Sequence, residues 1–304
     1  MLYGRAALLF LITFFTTTTL GAAWHYLIRT DITTDLLPWI TPRMIAAVWS
    51  DRSLLVPGLQ FSLAGLGILL AHELGHYVAC RRYGLPATLP FFLPAPFGLG
   101  TLGAFIRIKA PLRDKRELFD VGAAGPFAGF IALLPILVLG IAWSTPAKLS
   151  VAAHESDAVA QIWLPGGGLL WHLTSRLFHG PLPAGTILNL HPFGLAAWLG
   201  LFATMLNLLP LGQLDGGHIL YAALGKTQRR MAWPLWVALC ALGLVWPGFL
   251  VWSVITLLVG VRHPPVVDES APLGRTRQWL ALGALLLFVV CFMPVPMRIE
   301  LLAP

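Results

Sequence analysis

Six apolar runs, at residues 8–25, 55–80, 119–143, 192–211, 231–261 and 279–293, constrain this chain more than any other feature. Runs near 20 residues match the hydrocarbon thickness of a bilayer, where a segment must satisfy its own backbone polar groups. A soluble domain of this length would carry roughly a quarter charged residues. This chain carries 11%, with 57% hydrophobic residues and a mean hydropathy of +0.78. The expectation is an all-α polytopic membrane protein with six to seven transmembrane segments.

The first run follows a minimal basic region, and threonines interrupt it, so it reads as a retained helix over residues 6–25 rather than a cleaved signal. The fifth is broken at Trp246-Pro247-Gly248. That break fits one kinked helix or a hairpin of two short helices. Loop charge favours the hairpin. With the N-terminus inside, it leaves 14 of the 20 Lys and Arg on the inner side, as the positive-inside rule requires. The net charge of +7 is therefore topological, scattered between apolar spans, and argues against a nucleic-acid partner. Three cysteines, Cys80, Cys240 and Cys291, all lie in apolar segments and read as small core residues rather than a disulfide framework.

Two connections depart from ordinary loops. Residues 85–111 are too apolar for a solvated linker and too rich in Pro and Gly for a helix. "TLGAFIRIK" at 101–109 reads as a strand, with Ile106 and Ile108 alternating with Arg107 and Lys109. Non-helical backbone at membrane depth must be enclosed by protein or line a cavity. The expectation is a re-entrant or interfacial β-hairpin packed beside the polar residues of the second apolar run. Residues 144–191 read as an outside loop with a short helix near 167–178.

The polar residues in question are His72-Glu73-Leu74-Gly75-His76, inside the second apolar run. On a helix the i, i+4 spacing stacks both imidazoles on one face, where both can reach one metal, with Glu73 free to act as a base. Ionisable groups at membrane depth are expensive and mark function. A catalytic zinc takes three protein ligands. "NLLPLGQLDGGH" at 207–218 supplies the third as Asp215, after a helix broken by Pro210, with Gly212, Gly216 and Gly217 letting the backbone turn inward. One Zn2+ per chain is expected. Both motifs precede basic residues by a few turns and belong at the inner third of the bilayer.

These motifs resemble the site-2 protease family of intramembrane zinc metalloproteases, in its PDZ-less bacterial and plastid-like form. The resemblance spans most of residues 55–265. It implies that His72, His76 and Asp215 hold zinc, that Glu73 is the general base, and that Asn207 and Pro210 belong to the family's N-x-x-P…L-D-G segment. Gly125-Pro126-Phe127-Ala128-Gly129 matches the family's Gly-Pro segment, "GTLGAFIRIK" its membrane-associated hairpin, and "RHPPVVD" at 262–268 a tail seen in relatives. Gly103, Ala104, Phe105 and Ile106 would hold substrate as an added strand, and Asn207 would assist the oxyanion. No PDZ-like insertion interrupts the chain. The implied organisation is one integral membrane metalloprotease domain over 1–304, with a catalytic core at 55–262 and a last helix at 279–293. Its partners would be transmembrane protein substrates and membrane lipid, in a bacterial inner membrane with the active site toward the cytoplasm. The alternative is a metal permease using the same His and Asp ligands, which leaves Glu73 without a task.

Overall fold

Helix ends follow local signals in this computed structural model, which describes residues 2–30, 38–148 and 160–302. Helix α1 spans Leu2–Thr30 and α2 spans Pro42–Ser50, the latter capped by Thr41 with Pro42 in its first turn. Helix α3, Arg52–Arg82, begins where the Asp51 carboxylate accepts the Ser53 N–H and ends at paired arginines that suit its negative C-terminus. Strands β1 (Phe91–Pro94) and β2 (Thr101–Phe105) form an antiparallel hairpin. Helix α4, Lys115–Ala142, is capped by Asp114, and its Glu117 reaches back to the Arg113 N–H.

After α4 come β3 (Thr145–Lys148), β4 (Ala160–Pro165), α5 (Leu169–His179) and β5 (Thr186–Asn189). Helices α6 (Pro192–Asn207), α7 (Asp215–Leu224), α8 (Lys226–Leu242), α9 (Gly248–Val259) and α10 (Arg275–Cys291) follow, and β6 (Met297–Leu302) pairs with β4.

The chain is mostly helical, and among the described residues three helices are long and apolar enough to cross a membrane: Tyr3–Leu27, Arg52–Arg82 and Lys115–Ala142. Helices α6 and α9 are apolar but shorter. The fifth apolar run is two helices, broken at residues 243–247 as the Trp-Pro-Gly sequence demands.

The expectation of an all-α chain with one hairpin needs correction. Residues 144–191 are not simply a loop with a helix: β3 pairs with β5 and β4 with β6, giving two further two-stranded sheets. The strand expected over 101–109 stops at Phe105. Ile106 and Ile108 are half-buried and Arg107 and Lys109 exposed, as alternation requires, but only an isolated bridge from Ile108 to Ala87 pairs that stretch. Alternation reports which side is covered; a strand also needs a continuous partner.

Contacts sort the connections into two ends. At one end Asp114 bridges Asp268, Arg116 donates to the Pro272 carbonyl, and Lys226 approaches Glu269 to 3.8 Å. At the other end lie the β3–β5 and β4–β6 sheets, with Trp198 donating to the Gly166 carbonyl. The first end gathers segments that charge had assigned to one side. Arg277 joins it by gripping Asp120 with both Nε and Nη2, while Tyr83 donates to the same carboxylate.

The hairpin does not stay at that end. Thr16 Oγ donates to the Gly100 carbonyl at 2.7 Å, and Trp24, two turns further along α1, donates to Gly98 at 2.8 Å. The hairpin tip then bridges Trp39 through Phe97. It runs along the side of α1 toward the far end. The threonines that broke the first apolar run are buried here and bond mostly to carbonyls three or four residues back.

This seam gives a prediction. Gly100 has φ +86, and a Cβ there would lie 2.5 Å from Thr17 Cα; Gly98 has φ +63 with open space around it. Replacing Gly98 by Ala should cost about 1 kcal/mol from left-handed strain alone. Gly100→Ala should lower the thermal unfolding midpoint in detergent by clearly more, and equal shifts would show that the hairpin is not seated on α1.

Candidate metal centre

Helix α3 carries His72 and His76 one turn apart on the face turned to α4, and both are buried. Glycines allow this. A Cβ on Gly125 would overlap the His76 imidazole, and one on Gly129 would sit 3.0 Å from His72 Cβ. The Gly125-Pro126…Gly129 segment is thus the cradle for both rings.

Asp215 comes from the opposite direction. Helix α6 ends at Asn207, and Pro210 lies in the turn that follows. Gly212 then takes φ +53, a conformation that strains any other residue. Gly216 and Gly217 sit within α7, where a Cβ would strike the carbonyls of Leu208 and Gly212. They serve close packing of this turn rather than the bend itself. Asp215 is the first residue of α7 and makes no capping bond; its carboxylate turns to the histidines, with the positive helix N-terminus behind it.

The result is a cluster of lone pairs. His72 Nε2 lies 3.1 Å from His76 Nε2 and 3.2 Å from Asp215 Oδ2, and His76 Nε2 lies 3.4 Å from the same oxygen. His76 Nδ1 is 2.7 Å from the Val121 carbonyl, which can only accept, so Nδ1 carries the proton and Nε2 is bare. This orienting bond is the usual outer contact of a metal-bound histidine. A tetrahedral zinc with bonds of about 2.0–2.1 Å has ligand–ligand edges of about 3.3 Å. The three edges match that figure, and an N, N, O donor set suits zinc. The cluster fits the metal.

A cavity of about 240 Å³ opens beside it, lined by Glu73, Ala104, Phe105, Ile106, Asn207 and His218 among others. Glu73 is buried, and its carboxyl is met by the Ile106 backbone amide. Asn207 Nδ2 stands 3.2 Å from His72 Nε2. Ala104, Phe105, Ile106 and Asn207 line this cavity, whereas Gly103 and Pro210 fall outside its lining. His218, Gln213 and Val121 were not singled out from sequence, although His218 closes the same "LDGGH" string as Asp215.

Comparison with known proteins agrees with this geometry. Residues 60–241 match the profile of peptidase family M50. A rice protein (Oryza sativa subsp. japonica) named "Probable zinc metalloprotease EGY1, chloroplastic" is 31% identical over 303 residues, 96% of this chain and 50% of its own. The Arabidopsis thaliana protein of the same name is 34% identical over 81% of this chain and 45% of its own. "Probable zinc metalloprotease EGY2, chloroplastic" of Arabidopsis thaliana is 28% identical over 83% and 44%. The chain spans about half the length of these curated relatives.

Purified protein should retain about one zinc. Asp215→Ala should weaken retention although both histidines remain, and Gly125→Ala should weaken it by about 10–100-fold, as when a ligand's orienting contacts are lost. Full zinc content by elemental analysis in Asp215→Ala would remove that residue from the ligand set.

Proposed function

Because the chain belongs to peptidase family M50, we propose that it is an intramembrane zinc metalloprotease that hydrolyses peptide bonds in or beside transmembrane segments of other membrane proteins. The observation that carries this reading is Glu73, a buried carboxyl beside three convergent ligand atoms, in a cavity bordered by a strand end.

The proposed roles follow from position. His72, His76 and Asp215 hold zinc, which supplies a Lewis acid that polarises a carbonyl and acidifies water. Glu73 takes the proton of the attacking water on its carboxylate and returns it to the leaving amine nitrogen. Ile106, just past β2, lines the cavity beside that carboxylate. Asn207 Nδ2 is the neighbouring donor for the oxygen that gains charge. A cavity of about 240 Å³ does not admit a helix about 10–12 Å across, so substrate enters as extended chain. The outer edge of β2, whose one partner among the described residues is β1, is available to pair with it.

A permease would pass metal through successive sites. Among the described residues His72, His76 and Asp215 form the one such cluster, and Glu73 would have no part in it.

The proposed organisation is a catalytic core over 55–262, flanked by α1 and α10, with six to seven spans once α6, α9 and one or both of the 17-residue helices α8 and α10 join the three long ones. The site lies toward the basic end, the cytoplasmic face in a bacterial inner membrane. The named relatives are chloroplastic, in keeping with the plastid-like side of the resemblance but not with the bacterial inner membrane expected from it; charge speaks to sidedness rather than to which membrane carries the chain.

Glu73→Gln keeps volume and hydrogen bonding but cannot accept a proton. It should stay zinc-loaded while cleavage falls by about 10²–10⁴-fold. Full cleavage by purified Glu73→Gln, with His72→Ala as a control for contaminants, would end the protease reading. For sidedness, cysteines replacing the exposed residues Arg113 and Arg230 should be shielded from an impermeant reagent added outside, and one replacing Ala184 should react. Labelling at 113 would invert the topology.

A further inference from the structure

A second pair of histidines touches the cavity without being part of the cluster. His218 lies on α7, one turn past Asp215, and lines the cavity. Its Nδ1 is 2.7 Å from Nε2 of His263, in the segment after α9. His263 is buried, stacked on the Tyr221 ring with centroids 4.5 Å apart, and its Nδ1 lies 2.5 Å from the Pro264 carbonyl. Tyr221 donates to Glu269 at 2.6 Å, and the Gly212 N–H donates to the Val261 carbonyl. The segment 261–269 is thus strapped to the turn and helix that present Asp215.

The proton positions in this pair are forced. A carbonyl only accepts, so His263 Nδ1 must carry hydrogen. Burial holds His263 below its ordinary pKa and hence neutral, leaving its Nε2 bare. His218 must then donate from Nδ1, and a neutral His218 has its lone pair on Nε2. Among the described residues that nitrogen makes no hydrogen bond, although the ring borders the cavity. The His218 Cβ lies 2.7 Å from where a Cβ on Gly122 would stand, so the ring is held tightly on its α4 side.

We propose that His218 is a substrate-contacting residue whose Nε2 accepts a backbone N–H of the extended peptide, and that His263 is the positioning residue that fixes its tautomer. The proposal rests on the protease reading. It gives the cavity that the strand end also lines a side-chain acceptor, so that extended backbone is held by both. The ligand class is any peptide with a free amide hydrogen at that register, and N-methylation there would abolish the contact.

The test uses the full-length zinc-loaded chain in detergent, ¹⁵N-labelled at histidine, and a quenched-fluorescent apolar peptide. His218 should resonate as the Nδ1–H tautomer, the minor form of free histidine. His263→Phe keeps the stack on Tyr221 but removes the acceptor. It should return His218 to Nε2–H and raise KM about fivefold, the size of one neutral hydrogen bond, with kcat and zinc content unchanged. His263→Gln restores an acceptor and should restore both. His218→Leu should raise KM equally, and adding His263→Phe to it should change nothing further, as expected of one shared interaction. Nε2–H His218 in the unaltered chain, or additive effects in the double variant, would overturn the pair while leaving the protease reading intact. An Nδ1–H His218 in a zinc-loaded chain that cleaves nothing would instead sink the protease reading, and with it the substrate contact.

Discussion

Helices α3 and α4 approach more closely than two helices bearing ordinary side chains allow, and the metal cluster depends on that approach. The contact is built from absences. A Cβ on Gly75 would strike the Ala124 carbonyl, and those on Gly125 and Gly129 would enter the space of His76 and His72. Small residues are the usual means of close helix packing in lipid, where apolar side chains gain little by leaving the bilayer for one another. Here the vacated volume is refilled by imidazole rather than by backbone alone. Helix α4 repeats the device elsewhere, with Gly140 against Gly194 of α6 and Gly122 against His218 of α7. It acts as the spine to which both halves of the site are fitted.

That arrangement explains how an expensive set of groups is held at depth. Two imidazoles and two carboxyls at the end of apolar helices would be costly if unpaired. The His76 proton is directed to Val121, the bare nitrogens converge on Asp215, and the Ile106 amide meets Glu73. Both Nε2 atoms and Asp215 Oδ2 already converge, so a divalent ion would complete the set rather than reorganise it.

Much of the site was legible because its information is local. The i, i+4 spacing of His72 and His76 fixes a shared face in any helix, and the glycines around Asp215 advertise an unusual turn. The helical break at Trp246-Pro247-Gly248 was legible for the same reason. What sequence hid was non-local. Nothing in residues 160–165 announces pairing with 297–302, and nothing in 101–109 shows that partnership ends at Phe105. The depth reached by the hairpin likewise depends on Thr16 and Trp24, far away in the chain. His218 and His263 were both inside quoted motifs, but their hydrogen bond joins segments 45 residues apart. Only geometry reveals that one sets the proton of the other.

The pairing of β4 with β6 also has a consequence for assembly during synthesis. Pro165 meets Met297 and Ala160 meets Leu302, so β4 must wait for well over a hundred further residues to leave the ribosome before its partner exists. Every element of the metal cluster, from α3 through α7, is made before that moment. Long-range pairing of this kind is slow because chain closure is entropically opposed until the contact forms. The sheet is therefore the late step of a vectorial process, a clasp that shuts over a core already built. An insertion device that releases the chain early would leave the ligands assembled and the clasp open.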